Sequence, residues 1–470
     1  MTAALVALGM ILQQSSVFAL GVVVGRSLGS DEFGLYSLLR NITTWLLTLT
    51  PIGLDLAIVK FASKPENAST AAADTLRLRM IVFAINLAIV VLGSLFIPSM
   101  LSTPIKEFGT IDAAVILSLA SLPFMADLAL TGAYLRASGR VRRQSLITDH
   151  LQSVIRLAAM VLAVLFNADL VTFIAINLIA SAVSCVTSTL SINASRGPSA
   201  GAMPAAGRNV ALVLGESVWM AMSLGAYGLL RVADIFVLSY FVPSDVLGNY
   251  AALATVATVV QVLPLAISHS LGPTVTRFHV AGDRNAIFNA LKNNVQRSSI
   301  FASYVFAGIC AFGPFLYLLF GETFVFDPAL CVLVPLSWLI GATYNSTGLA
   351  LSMTGRHRIE TALILSGGAI LVLLLAVLVP HWHTIGAAVA IVVALACIQG
   401  GRVVVTGRVL GRNIVDLSQF IAPVLGIVTA FLSKYLLEVA MEINIFSVAA
   451  FCALYSALYW ATIYATRLAK

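Results

Sequence analysis

Four arginines raise the first chemical question in this chain. Arg26, Arg40, Arg156 and Arg231 lie inside, or at the ends of, long apolar runs. A guanidinium in mid-membrane costs about 2.5–3.5 kcal/mol on insertion scales, so finding one there points to function. The group is always charged, and its planar N–H donors match phosphate oxygens in pairs. Bland roles compete with this. Arg26 and Arg40 could snorkel to an interface, Arg231 has Asp234 three residues on, and Arg156 has Asp149 seven residues back or an acid on another helix. Among the acids, Asp55, Asp127, Glu216 and Asp234 are candidates for taking up protons or cations to drive a cycle, or else for structural counter-ions. His269 is a weaker candidate, read as packing.

The elements that must position these groups follow from composition. Of 470 residues, 60% are hydrophobic and 10% charged, and the mean hydropathy is +0.99, which excludes a soluble globular domain. A spanning helix needs about 20 apolar residues. Such runs are read at 4–25, 36–59, 79–99, 111–135, 147–166, 170–192, 210–241, 247–275, 298–320, 329–353, 359–380, 384–401, 414–437 and 445–466, fourteen in all. Their length excludes a spanning barrel, so the fold class is an all-α integral membrane protein. The first run has no basic leader and no small-residue cleavage site, and is read as a retained helix. Cys185, Cys310, Cys331, Cys397 and Cys452 fall within spans without a CxxC pattern and are read as small core residues.

Placing both termini in the cytoplasm puts twenty-one of the 27 basic residues on that side, the asymmetry of cytoplasmic loops, with Arg79 and Arg402 counted among them. The net charge of +7 is then a topology signal that favours anionic headgroups as neighbours. Nucleic acid is not an expected partner, since the basic residues are scattered among short loops.

The chain also repeats itself. Ser30-Asp31-x-x-Gly34-x-Tyr36 recurs as Ser244-Asp245-x-x-Gly248-x-Tyr250, each followed by a span with a proline, Pro51 or Pro264. The aspartate is expected to cap a helix, the glycine to allow a tight turn and the tyrosine to sit at the interface. The resulting division is a six-helix bundle over 1–192, a cytoplasmic linker over 193–209, a second bundle over 210–406 and two additional helices over 407–470. An even number of spans per half makes this a parallel repeat.

The runs "GRSLGSDEFGLYSLL", "PIGLDLAIVKFAS", "ADIFVLSYFVPSDVLGNYAALATV" and "LGPTVTRF" resemble the polysaccharide-transport branch of the multidrug/oligosaccharidyl-lipid/polysaccharide exporter superfamily. The resemblance implies a V-shaped pair of bundles, with the first, second, seventh and eighth spans lining a central cavity. It implies a flippase that moves undecaprenyl-diphosphate-linked oligosaccharide from the cytoplasmic to the periplasmic leaflet of the bacterial inner membrane, for O-antigen or exopolysaccharide assembly. A glycan polymerase and a chain-length regulator are the partners it suggests. Arg26, Arg40, Arg156 and Arg231 would form the cationic path.

Two alternatives share the superfamily layout: a flippase for lipid II, the peptidoglycan precursor, and a cation-coupled multidrug exporter. A membrane glycosyltransferase would want a large outer loop, and none is read here. The sequence lacks GxxxxGK[ST], HExxH and GxSxG, so no enzyme activity and no cofactor are expected. The pair His381 and His383 around Trp382 is read as an interfacial Trp with polar neighbours, not a metal site.

Overall fold

The computed structural model describes residues 2–50, 54, 58, 71–100, 111–166, 168–193, 225–269, 271–416, 418–440 and 445–466. Among these every regular element is helical, and nine helical stretches are long and apolar enough to cross a membrane. The expected all-α membrane fold is therefore the observed one. Asp55 and Glu216 lie outside the described residues, as does residue 210–224 of the seventh span.

The chain forms two compact units, Met1–Gly248 and Asn249–Lys470. In the first, α1 (Thr2–Leu49) holds the first span and the start of the second, meeting at Gly29 with φ 79° and ψ 179°. That positive φ is open to glycine at no steric cost. Next come α2 (Ala71–Met100), α3 (Ile111–Ala120) and α4 (Leu122–Ala137). A short α5 (Val141–Ser145) runs through a π-helical turn at Leu146–Leu151 into α6 (Gln152–Leu165), and α7 (Leu170–Asn193) follows. Asp169 starts α7 by accepting from Thr172 N at 3.0 Å. Beyond a helical segment over 225–230, α8 (Ala233–Phe241) and the first residues of α9 (Ser244–Ala257) close the unit.

The core of this unit gathers Leu54, Ile58, Leu78, Val82, Ala126, Leu130 and Ala133. Little of α2 is buried elsewhere: Leu92, Leu95 and Phe96 are more than half exposed, as lipid-facing side chains are. The repeated motif does not behave as expected. Residues 30–36 and 244–250 are helical, Asp31 accepts a hydrogen bond from Ser244 Oγ at 2.9 Å, and Tyr36 is 1% exposed, so it is not at an interface. Gly34 serves close packing: a Cβ there would collide with the backbone of Ser244, and one on Gly248 with that of Ser30.

In the second unit Tyr250 is likewise buried. Helices α10 (Val262–His269), α11 (Leu271–Val280) and α12 (Arg284–Phe312) lead to α13 (Tyr317–Phe320) and α14 (Pro328–Met353). Asp283 and Asp327 cap α12 and α14 by accepting from Ala286 N and Ala329 N. The eleventh and twelfth spans form α15 (His357–Leu410), divided at His383 with φ 47°. Trp382 beside it is 56% exposed.

Of the last two helices, α16 (Ser418–Ala440) and α17 (Ile445–Ala465), the second is tied to α12 by aromatic hydroxyls. Tyr459 donates to Ile300 O at 2.7 Å, Tyr455 donates to Tyr304 O at 2.6 Å, and the Tyr304 and Tyr455 rings stack at 5.0 Å. In lipid such bonds stand in for the missing hydrophobic drive between helices.

Candidate functional site

Arg156 is the most deeply placed of the four arginines. It is 5% exposed on α6, with Nε donating to Asn177 Oδ1 at 3.1 Å and Nη1 donating to Ser16 Oγ at 3.2 Å. Both acceptors are neutral. Among the described residues no carboxylate pairs with it, so the expected alternative of an Asp149 partner does not hold. A guanidinium carries five N–H donors, and those not used by Asn177 and Ser16 remain for a ligand.

Arg40 and Tyr36, both on α1, lie near enough to Arg156 to act on its charge. The Arg40 guanidinium sits 5.9 Å from the centre of the Tyr36 ring, a cation–π contact, and is half-buried. Arg40 follows Gly29 by eleven residues, a rise of about 16 Å along the helix. The Tyr36 hydroxyl is buried without a hydrogen-bond partner among the described residues. Two cations, a phenolic hydroxyl and two amide or hydroxyl supports thus share one neighbourhood of the first unit.

The other expected residues fall elsewhere. Arg26 is exposed, one turn from the break at Gly29. Arg231 is exposed in a two-residue turn with Val232 that interrupts the seventh span, which the sequence reading had taken as continuous. Trp45 Nε1 donates to Gly225 O at 3.3 Å and the open face of Gly228 admits Thr48, so the segment over 225–230 packs on α1. Arg231 follows Gly228 by one turn, toward the level of Arg40. Asp234 is 5% exposed on α8.

Asp127, read as an exchange site or a structural counter-ion, is paired with Arg79. Arg79 Nε and Nη2 reach its two oxygens at 2.5 and 2.6 Å, and Nη2 also donates to Thr189 Oγ1. Cys185 Sγ donates to Asp127 Oδ2 at 3.0 Å, so this cysteine is a polar member of the group and not only core filling. In the second unit Arg402 is paired with Glu360 and bonds Gln399 Oε1, in space left by Gly348. Both Arg79 and Arg402 are buried within the bundles, where the sequence reading had put them in cytoplasmic loops. The partner acid lies on a distant stretch of sequence in each case, and the one sequence cue was a basic residue close to an apolar run.

Cys310 and Cys331 are buried as expected, whereas Cys397 and Cys452 are exposed. No group of three metal-ligating side chains occurs among the described residues.

Residues 3–279 match the family described as "Polysaccharide biosynthesis protein", more than half of the chain. No curated protein sequence matches it. Among solved structures, "Lipid II flippase MurJ, inward closed conformation" is similar at TM-score 0.77 and 11% identity, over 99% of this chain and 100% of that one. An inward-facing multidrug resistance MATE family transporter of the MOP superfamily gives TM-score 0.61 at 13% identity, over 93% and 100%. A MOP superfamily transporter from Pyrococcus furiosus, whose description reads "Reverse polarity of binding pocket suggests different function", gives 0.56 at 13%, over 87% and 95%. At these identities the likeness is one of fold, and that fold is the one the sequence motifs implied.

Proposed function

Because the chain belongs to the polysaccharide biosynthesis protein family, we propose that it is a flippase for undecaprenyl-diphosphate-linked oligosaccharides. It would carry them from the cytoplasmic to the periplasmic leaflet of a bacterial inner membrane, for O-antigen or exopolysaccharide assembly. The observation that carries this reading is Arg156, buried with neutral supports and with Arg40 close by. An ion taken from water into the interior loses several kcal/mol of hydration, and a multivalent anion between two guanidinium groups restores it. The diphosphate is such an anion.

The residues would divide the task. Arg156, fixed by Asn177 and Ser16, presents a rigid fork of donors to phosphate oxygens. Arg40, on a longer leash at the edge of the group, follows the headgroup as it moves. Arg231 would extend the path from its turn. Glycan polymerase and chain-length regulator would act on the delivered units.

A lipid II flippase is the second reading. The similarity to MurJ over the full length of both chains favours it, and its cargo presents the same diphosphate to the arginines. A multidrug exporter fits less well, since paired guanidinium groups repel cationic drugs.

The test is binding of undecaprenyl diphosphate to the detergent-purified protein, followed by native mass spectrometry, for the wild type, Arg156→Ala and Arg40→Ala. A loss of about tenfold or more in each variant, the 1.4 kcal/mol step of one charge-assisted contact, is the expected result. Equal binding by all three overturns the assignment. Flipping assays with lipid-linked O-antigen units against lipid II then separate the two cargoes.

A further inference from the structure

We propose that two short turns, residues 138–142 in the first unit and 354–358 in the second, are docking arms for the headgroups of anionic glycerophospholipids. The inference rests on the membrane fold and not on the cargo.

The chain carries a second internal repeat. Gly132-x-x-Leu135-x-x-Ser138-Gly139-Arg140-x-Arg142-x-Gln144 recurs as Gly348-x-x-Leu351-x-x-Thr354-Gly355-Arg356-x-Arg358-x-Glu360. The two copies fold alike. Gly139 and Gly355 take the left-handed conformation at φ 74° and 78°, as glycine does where a helix ends. Arg140 N and Arg356 N donate back to Leu135 O and Leu351 O at 2.8 and 2.9 Å. The Ser138 and Thr354 hydroxyls donate to Tyr134 O and Ala350 O at 2.9 and 2.8 Å. Gln144 N and Glu360 N then close the next helical turn on Arg140 O and Arg356 O.

This backbone accounts for the hydroxyls and the glycines, and not for the arginines. The turn at Gly282 shows the difference. There φ is 71°, Asp283 N donates to Phe278 O at 3.0 Å, and the Asp283 carboxylate caps the next helix by accepting from Ala286 N. An acid at that position stabilises the helix it opens. Arg140 and Arg356 hold the same position and cap nothing. Their charge serves something outside the turn.

Among the described residues no carboxylate lies at ion-pair distance from Arg136, Arg140, Arg142, Arg356 or Arg358. Asp127 and Glu360, acids that bound these stretches, are held by Arg79 and Arg402. Arg136, Arg142 and Arg358 are exposed, and Arg140 and Arg356 are half-buried. The apolar side chains of Leu146, Met353 and Ile359 stand exposed beside them. Such side chains next to a helix end sit in hydrocarbon, so the neighbouring guanidinium groups reach the layer of lipid phosphates. Guanidinium donors match phosphate oxygens in pairs.

Phospholipid of the bilayer fits better than the diphosphate of a cargo. The Arg156 and Arg40 group belongs to the first unit, whereas this motif is present in each unit with one geometry. Bulk lipid is the phosphate ligand open to both at once. The turns join the fourth span to the fifth and the tenth to the eleventh, the cytoplasmic side in the orientation read from the charges.

The test is native mass spectrometry of the detergent-purified protein titrated with phosphatidylglycerol or, as the neutral control, phosphatidylcholine. Wild type should hold phosphatidylglycerol in preference. Arg140→Gln with Arg142→Gln should weaken one bound phosphatidylglycerol on the order of 25-fold, about fivefold per arginine. Arg356→Gln with Arg358→Gln should weaken another, and all four changes together should abolish the preference. Equal retention of both lipids by wild type overturns the proposal, as does an unaltered preference in the fourfold variant. So does an equal loss in Arg277→Gln with Arg284→Gln, the exposed pair around the Gly282 turn, since net charge alone would then explain it. Phenylglyoxal labelling of wild type in nanodiscs gives a reading free of any variant. Arg140, Arg142, Arg356 and Arg358 should be protected by phosphatidylglycerol more than Arg277 and Arg284, and equal protection overturns the proposal. Undecaprenyl diphosphate binding should persist in the fourfold variant; its loss with phosphatidylglycerol retained gives the arms to the cargo and overturns the proposal. Unchanged undecaprenyl diphosphate binding in Arg156→Ala, by contrast, sinks the flippase reading alone.

Discussion

Gly34 and Gly248 occupy reciprocal places in one helix crossing. A Cβ on Gly34 would lie 3.1 Å from Gly248 N, and one on Gly248 would lie 3.2 Å from Gly34 N. Each glycine also presses on the serine that opens the other copy of the motif. The obstacles are backbone atoms, which cannot rotate away as a side chain end would.

Gly248→Ala and Gly34→Ala should therefore lower the thermal midpoint of the purified protein, by an overpacking cost of about 1–3 kcal/mol each. Gly400→Ala, where nothing lies within 4 Å, serves as the control and should be neutral. Equal midpoints for all three would show that the crossing is looser than described.

Removing one member of the Arg79–Asp127 pair strands the other in the bundle. Asp127→Ala should cost about 3–5 kcal/mol, whereas Arg79→Met combined with Asp127→Leu should recover most of the loss. Thermal unfolding in detergent measures both. A double variant as unstable as the single one would mean that the charges, not their mutual satisfaction, hold this region.

Tyr36→Phe removes a hydroxyl from beside the two guanidinium groups while leaving the ring under Arg40. If that hydroxyl reaches the cargo, affinity for undecaprenyl diphosphate should fall about fivefold, the size of one neutral hydrogen bond, with thermal stability unchanged. Arg156→Lys should bind less well than wild type, since a single ammonium cannot reproduce the fork that Asn177 and Ser16 aim. Surface plasmon resonance on nanodisc-embedded protein would read both; unchanged affinity in either variant counts against the corresponding contact.

Asp169, outside the spans, accepts from the hydroxyl and the amide of Thr172, and these bonds hold its carboxyl below the usual range. A depressed carboxylate stabilises the fold above its unfolded value, and that contribution fades as the pH falls through the folded one. Asp169→Ala should cost about 1 kcal/mol at neutral pH, while Asp169→Asn keeps the cap. Melting curves at neutral and strongly acid pH should converge for wild type and Asp169→Ala.

Fold class and family were legible in the sequence because membrane helices announce themselves by length and apolarity, and because the motif at Ser30 and Ser244 repeats. Its chemistry was not. Glycine at position 34 reads as a turn former until a second helix is seen to lie against it, and Tyr36 reads as interfacial until its burial is known. Arg156 stands out in the sequence as a charge in mid-span, but its supports, Ser16 and Asn177, are 140 and 21 positions away. Arg79 and Arg402 were hidden by their closeness to span ends, where arginine is ordinary.

The wide turn at Leu146–Leu151 sets the azimuth of everything after it. A π-helical turn holds one residue more than the α-helical ladder would, so drawing it into a regular α-helix with every residue kept would swing the later half by about 100°. Arg156 would then leave Ser16 and Asn177 and face another wall of the bundle. The irregularity works as an index mark, fixing which way the fork points while the helix on either side stays ordinary.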